Sequence, residues 1–153
     1  MSRYITLSLS TTATLDTIYA LEALRVNLKQ DPEIPAPLGR SNDKALRVLT
    51  RRIFSGMALA LAENLDIRGI TAGETDNDDI LSLSVAYGGT PSGDTTLMMR
   101  EHLESALGFG VMQAAWAMAD KERSDTFGKM YLQCLGRFRA IFSSGIPSRI
   151  TPD

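Results

Sequence analysis

The sequence predicts a mainly α-helical protein: a four-helix, bundle-like domain with a C-terminal antiparallel helical hairpin and one or two short β-strands. Three observations lead to this prediction. Apolar residues between Phe127 and Phe142 recur at three- and four-residue intervals, the spacing of one helix face. The run from Ala106 to Ala119 is apolar nearly all round, as in a helix enclosed by partners. Two further segments alternate apolar and polar residues as strands do.

The chain of 153 residues, 44% of them hydrophobic, has the length and apolar content of one domain with one core. A net charge of −2 argues against a general polyanion binder. We expect a single helical domain over residues 1–153. Its parts are an N-terminal strand or arm at 1–12, a proline-rich loop at 31–42, a helical hairpin core at 94–143 and a tail at 144–153.

The two alternating segments predict short strands. In residues 4–10, Ile5, Leu7 and Leu9 point to one side and hydroxyl residues to the other. Residues 80–87 repeat the pattern, and the two strands could pair with each other or with neighbouring subunits. Because an isolated strand can add to the edge of a neighbour's sheet, Ile5, Leu7 and Leu9 are candidate interaction residues.

The first helix is predicted from Thr14, a candidate N-cap, to Gln30, where Asp31-Pro32 ends it. This first helix has a loose apolar stripe made of Ile18, Leu21, Leu24 or Arg25, and Leu28. Further along the chain, residues 71–79 have the composition of a solvated acidic loop.

The second helix is predicted from Ser41 or Asn42 to about Asp66, with Gly69 as its stop. One of its faces is basic and lies opposite the apolar stripe. This face could contact phosphates or an acidic protein, or it could simply be solvated. Its candidate interaction residues are Lys44, Arg47 and Arg51.

The third helix is predicted to begin near Asp94 or Thr95, and Ser124 is predicted to cap the fourth. The short polar connection between them, residues 120–123, predicts that they lie antiparallel. Small residues of the third helix leave room for close helix approach: Gly108, Gly110, Ala114, Ala115 and Ala117.

Four carboxylates match the letters of a catalytic motif. Glu101 and Glu104, followed by Glu122 and Asp125, have the ExxE and ExxD spacing of all-α nucleotide pyrophosphohydrolases of the MazG type, which bind magnesium. A continuous helix between the pairs, at about 1.5 Å per residue, would separate them by roughly 27 Å. Groups that share one ion must lie within a few ångströms. We therefore predict no catalytic residue, no metal site and no cofactor.

Residues 97–143 resemble the closing helical pair of small tailed-phage neck or head-completion proteins, the head-to-tail connectors. The features that carry the resemblance are an alanine-rich helix from Leu103 to Asp120, a polar turn, and a helix with large residues at every fourth position: Phe127, Tyr131, Leu135 and Arg139. The resemblance implies a non-enzymatic ring subunit that joins the capsid portal to the tail, with extended segments reaching its neighbours.

The leading hypothesis is a structural protein of a virion or mobile element that forms homo-oligomers and binds other virion or assembly proteins. One alternative is a small intracellular interaction or regulatory module that touches nucleic acid through Lys44, Arg47 and Arg51; the other is the metal-dependent pyrophosphohydrolase.

The N-terminus lacks the continuous apolar run of a signal peptide, and no apolar stretch reaches the roughly 20 residues of a membrane helix. We expect the protein in the virion or host cytoplasm, neither secreted nor membrane-bound.

Overall fold

A computed structural model describes residues 3–29, 38–72 and 79–144. These residues form four α-helices and a three-stranded antiparallel sheet, which confirms the mainly helical class. The elements in chain order are β1 (Arg3–Ser10), α1 (Thr11–Lys29), a short 3₁₀ turn (Arg40–Asn42), α2 (Asp43–Ala62), β2 (Ile67–Thr71), β3 (Ile80–Tyr87), α3 (Gly93–Trp116) and α4 (Lys121–Ser144).

The sheet has β3 at its centre, in the order β1-β3-β2. All eight residues of β1 pair with β3 without a shift in register, from Arg3 opposite Tyr87 to Ser10 opposite Ile80. The two predicted strands therefore pair within one chain. Their alternation gives the sheet one apolar face that packs on the helices, with five fully buried residues: Leu7, Leu9, Leu81, Leu83 and Val85.

The strand β2 was not predicted, because the sequence placed these residues at the end of the second helix. That helix, α2, ends at Ala62 rather than near Asp66. Gly69 has a φ of 62°, and the pairing with β3 shifts between Arg68 and Thr71. A glycine in the left-handed region permits such a bulge, so Gly69 bends a strand instead of stopping a helix.

Two of the predicted helix starts are wrong by four residues. The proposed cap Thr14 predicts a start at residue 15, but α1 begins at Thr11; the proposed cap Ser124 predicts a start at residue 125, but α4 begins at Lys121. In both cases an aspartate outside the helix accepts backbone N–H groups of the first turn: Asp79 for α1 and Asp120 for α4. These aspartates satisfy donors that have no partner within the helix.

Only part of the stripe predicted for α1 faces the core. Ile18 is buried and Arg25 is half-buried, but Leu21 and Leu24 are 50% and 54% exposed. Leu15 and Tyr19, which the stripe did not include, are buried, and the side chain of Leu28 lies outside the described residues. Because α1 follows β1 without a loop, the pairing of β1 fixes how the helix is rotated. The apolar stripe alone did not contain that information.

Close contacts join α3 to α2 and α4. A Cβ atom added at Gly110 would lie 2.7 Å from Ile53 Cγ2 and 3.1 Å from the Tyr131 ring, so this glycine permits the approach. A Cβ atom at Gly108 would meet nothing within 4 Å. Of these two glycines, Gly110 alone serves the close helix approach that the sequence predicted for both.

Candidate interaction surfaces

The outer edge of β1 is the longest sheet edge in the described part of the chain. No other described strand pairs with it, and Thr6 and Ser8 are exposed. The strand has eight residues, no bulge in its pairing with β3 and one charged residue, Arg3. Within the described residues, its backbone N–H and C=O groups on this side have no strand partner, so they can pair with another strand.

The two long side chains of β1 turn away from this edge. Arg3 Nη1 donates to Thr90 Oγ1 at 2.9 Å, beyond the end of β3. The Tyr4 hydroxyl donates to Asp66 Oδ2 at 2.6 Å, just before β2 begins. Both contacts lie toward the interior of the sheet, so neither side chain is directed to the open edge.

Of the predicted interaction residues in β1, Leu7 and Leu9 are each 2% exposed and Ile5 is half-buried. Leu7 and Leu9 therefore pack in the core of their own chain. A partner at this strand would meet the backbone and the outward hydroxyl side chains rather than these two leucines.

The three predicted basic residues of α2 have different environments. Lys44 is exposed, while Arg51 is half-buried. Arg47 points inward: its Nε donates to Asp43 Oδ2 at 2.9 Å and its Nη2 donates to Thr12 Oγ1 at 3.0 Å. The basic face that the helical spacing predicted is thus partly used for internal contacts.

Arg47 belongs to a polar cluster that joins α1, α2 and the start of β3. The Tyr19 hydroxyl donates to Asp43 Oδ1 at 2.7 Å; this bond, followed by the one from Arg47, lowers the pKa of Asp43. Burial acts to raise the pKa of Asp79, but hydrogen bonds from Ser10 and from the start of α1 outweigh it and lower the pKa. Both carboxylates are therefore stabilised in their charged form.

Asp79 was predicted to belong to a solvated acidic loop. Residues 73–78 of that loop lie outside the described residues, but Asp79 itself accepts a hydrogen bond from the Thr12 backbone at 2.6 Å. Its Oδ1 atom also lies 3.7 Å from Arg47 Nη1. The position of Asp79 in the sequence could have indicated this contact, because antiparallel pairing of residues 3–10 with 80–87 brings residue 79 next to the first turn of α1.

Trp116, at the end of α3, is fully buried beside two guanidinium groups. Arg25 of α1 lies 5.4 Å and Arg123 of α4 lies 4.5 Å from the ring centroid. Each arginine also forms an ion pair with a nearby acidic residue: Arg25 with Glu22, and Arg123 with Asp120. This charge-balanced cluster connects α1 to the turn between α3 and α4, and it has the character of a structural contact rather than a binding site.

A groove of about 370 Å³ lies between the end of β1, α1 and α3. Its apolar wall includes Ile18, Phe109 and Met112, and an exposed ion pair of 3.9 Å joins Arg100 to Glu104 beside it. Several hydroxyl side chains line the rest: Ser8, Ser10, Thr14, Thr17 and Ser105. The sequence did not predict this groove, because it depends on the rotation of α1.

The four carboxylates of the catalytic motif, Glu101, Glu104, Glu122 and Asp125, are all exposed, and α3 runs unbroken between the two pairs to Trp116. Among the residues that the structure describes, no group of three or more His, Cys, Asp or Glu side chains could hold a metal ion.

Two further residues have side chains that can take part in catalysis in other proteins. His102, the single histidine, is half-buried on α3. Cys134 is buried, and burial raises the pKa of its thiol, which disfavours the reactive thiolate.

Comparison with known proteins adds no relative: no family model, no curated protein and no solved structure matches the chain. Within the described residues, no helix is long and apolar enough to cross a membrane. A functional proposal therefore depends on the surfaces above and on the resemblance of the C-terminal sequence.

Proposed function

We propose that this protein is a non-enzymatic subunit of a phage or prophage particle, a neck protein that forms a ring and connects head to tail. In this role it binds copies of itself and other virion proteins. The observation that carries the proposal is the open edge of β1. A chain that works by assembly needs a surface that can accept an extended segment, and a sheet edge is the simplest such surface.

The backbone of this edge can bind an added strand without specialised side chains. Eight residues at about 3.4 Å each span roughly 27 Å of strand. Each backbone hydrogen bond formed with an added strand contributes about 0.5–1.5 kcal/mol net. Several such bonds, together with contacts of the exposed hydroxyl side chains, are sufficient for reversible association between subunits.

The contacts between α3 and α4 support the antiparallel hairpin, and with it the bundle-like arrangement on which the neck-protein resemblance rests. As the position along α3 rises, the position of its partner along α4 falls, which is the order expected of antiparallel neighbours. The pairs are Phe109 with Phe127, Gln113 with Ser124, and Trp116 with Arg123. The turn between the helices has only a few residues, from Ala117 to Asp120.

The proposal is tested by measuring the mass of the purified protein in solution over a wide concentration range and by imaging the assemblies by electron microscopy. We expect closed rings, or smaller oligomers that close into rings at high concentration. A chain that stays monomeric at every concentration, and that is missing from purified particles, contradicts the proposal.

A magnesium-dependent assay for pyrophosphate release from a panel of nucleotides is the matched control for the enzymatic alternative. We expect no release above background. Release that is lost in a Glu101→Gln variant would support the hydrolase in place of the structural subunit.

A further inference from the structure

The two edges of the sheet are protected to different degrees. The edge strand β2 has five residues and a bulge at Gly69, two features that prevent further strand pairing. The edge strand β1 has neither feature, and it contains no proline and no lysine. Monomeric proteins rarely leave so long and regular an edge open, so β1 has the properties of a strand that pairs with another chain.

We infer that the outer edge of β1 pairs with β1 of a second copy of this chain, antiparallel about a two-fold axis at Leu7. The inference rests on the proposed function and names the partner of the same edge. Because a two-fold contact joins subunits only in pairs, a closed ring of such pairs needs a second contact elsewhere on the subunit. It joins two three-stranded sheets into one sheet of six strands, three from each copy.

The register follows from matching the two faces of the sheet. With Leu7 opposite the partner's Leu7, apolar residues meet apolar residues and hydroxyl residues meet hydroxyl residues. The pairs are then Ile5 with the partner's Leu9, Thr6 with the partner's Ser8, and Tyr4 with the partner's Ser10. A slip by one residue would place each apolar side chain on the hydroxyl face of the partner strand.

Two neighbouring registers also match the faces of the sheet. Centring the axis on Thr6 brings the charged Arg3 into the pairing, opposite the partner's Leu9, although Thr90 already accepts a hydrogen bond from Arg3. Centring the axis on Ser8 pairs only residues 6–10 of β1, whereas the register centred on Leu7 pairs residues 4–10. We therefore favour the register centred on Leu7, which has the longer pairing and no charged residue within it.

The interface is small because Leu7 and Leu9 are already buried in their own chain. Pairing therefore gains mainly backbone hydrogen bonds and contacts of Ile5, Thr6 and Ser8. Interfaces of this size associate weakly, with dissociation constants in the micromolar range, on the order of 1–100 μM. The experiments are accordingly done across that range.

The first experiment uses disulfide formation to read the register. In a full-length Cys134→Ala background, chains with Thr6→Cys are mixed with differently tagged chains that carry Ser8→Cys. Directly opposite residues have Cβ atoms about 4.5–5.5 Å apart, near the range of a disulfide, whereas diagonal neighbours are about 7–8 Å apart. We expect mixed disulfides to exceed either self-disulfide about tenfold. Ser84→Cys, on the same face of the central strand, is the control and should not cross-link.

The second experiment uses charge at the same two positions. The double variant Thr6→Lys with Ser8→Lys places like charges opposite each other twice, and Thr6→Lys with Ser8→Glu places opposite charges there. Both variants carry Thr6→Lys and differ only in the residue at position 8. We expect the Lys/Lys variant to dissociate on the order of tenfold more readily than the Lys/Glu variant. Equal thermal unfolding of the two monomers at low concentration shows that the difference lies in association.

Equal amounts of mixed disulfides and self-disulfides, or equal association of the two charge variants, would overturn the inference. Rings that persist in the Lys/Lys variant overturn the β1 pairing and leave the proposed function in place. A dimer that the Lys/Lys variant loses, with no larger assembly, supports the pairing and contradicts the ring. A wild-type chain that is monomeric throughout overturns both.

Discussion

Asp79 connects three parts of the chain that are distant in sequence. Its carboxylate accepts hydrogen bonds from Ser10 and from the Thr12 backbone, and it lies 3.7 Å from Arg47. One side chain thus caps α1, positions the end of β1 and attracts α2. At the scale of single residues, this cluster is the main polar contact between the sheet and the helices.

Asp79→Asn keeps an oxygen that can accept the helix N–H but removes the negative charge, and it should lower the free energy of unfolding at pH 7 by about 1 kcal/mol, the difference between hydrogen bonds to charged and to neutral acceptors. The lowered pKa of Asp79 makes this loss pH-dependent. A carboxylate with a depressed folded pKa contributes its full stability above the unfolded value, near 3.9, and loses it as the pH falls through the folded value. The difference between wild type and variant should therefore shrink below about pH 4.

Urea unfolding at pH 7 and at pH 3 measures this difference. Asp125→Asn, at an exposed position near the start of α4, is the matched control and should change stability by less than about 0.5 kcal/mol. An effect of Asp79→Asn that is equal at the two pH values would contradict the role given to its charge.

Arg47 and Lys44 lie one turn apart on α2 but should respond differently to truncation. Arg47→Ala removes hydrogen bonds to Asp43 and Thr12, and we expect a loss of about 1–3 kcal/mol in unfolding free energy. Lys44→Ala removes an exposed side chain and should cost less than about 0.5 kcal/mol. Equal losses in thermal or urea unfolding would show that the polar cluster is not structurally important.

At the scale of helices and strands, the sequence predicted those elements whose residues follow a local pattern. The alternation in residues 4–10 and 80–87 identified β1 and β3 within one residue of their observed bounds. The spacing in α4 identified its inward face, apart from Met130, which is 39% exposed. The five residues of β2 were missed because Gly69 interrupts the alternation that would have marked a strand.

The same limit applies to the candidate surfaces. The alternating pattern identified β1 as a strand, but its position at an edge depends on the order of three strands, one of which was not predicted. Likewise, the spacing of Lys44, Arg47 and Arg51 correctly placed them on one helix. Besides Asp43 on its own helix, Arg47 contacts Thr12 and Asp79, and a pattern local to α2 cannot reveal those two partners.

Two glycines of α3 provide a test of helix packing. Gly110→Ala forces a Cβ atom to within 2.7 Å of Ile53 Cγ2, and we expect overpacking to cost about 1–3 kcal/mol. Gly108→Ala meets nothing within 4 Å and should stabilise the helix by about 0.5–1 kcal/mol. Urea unfolding of the two variants should therefore give opposite signs; the same sign for both would contradict the packing of α3 against Ile53 and Tyr131.

At the scale of the whole molecule, β3 is the strand on which the sheet depends. It bonds to β1 on one side and to β2 on the other, and its inward residues are fully buried. We expect the central amides of β3 to exchange with solvent the most slowly, through global unfolding, and the amides of the short strand β2 to exchange faster. Hydrogen exchange followed by mass spectrometry measures both, and faster exchange in β3 than in β2 would contradict the strand order.

The pairing of the first strand with a late one has a consequence during synthesis. Leu7 and Leu9 leave the ribosome well before Tyr87, where the strand that pairs with β1 ends. At about 5–20 residues per second, the nascent chain carries these leucines unshielded for several seconds. Nascent chains that end before Tyr87 should therefore bind chaperones, and ribosomes that follow one another on a messenger bring two such unfinished strands close together before either has folded.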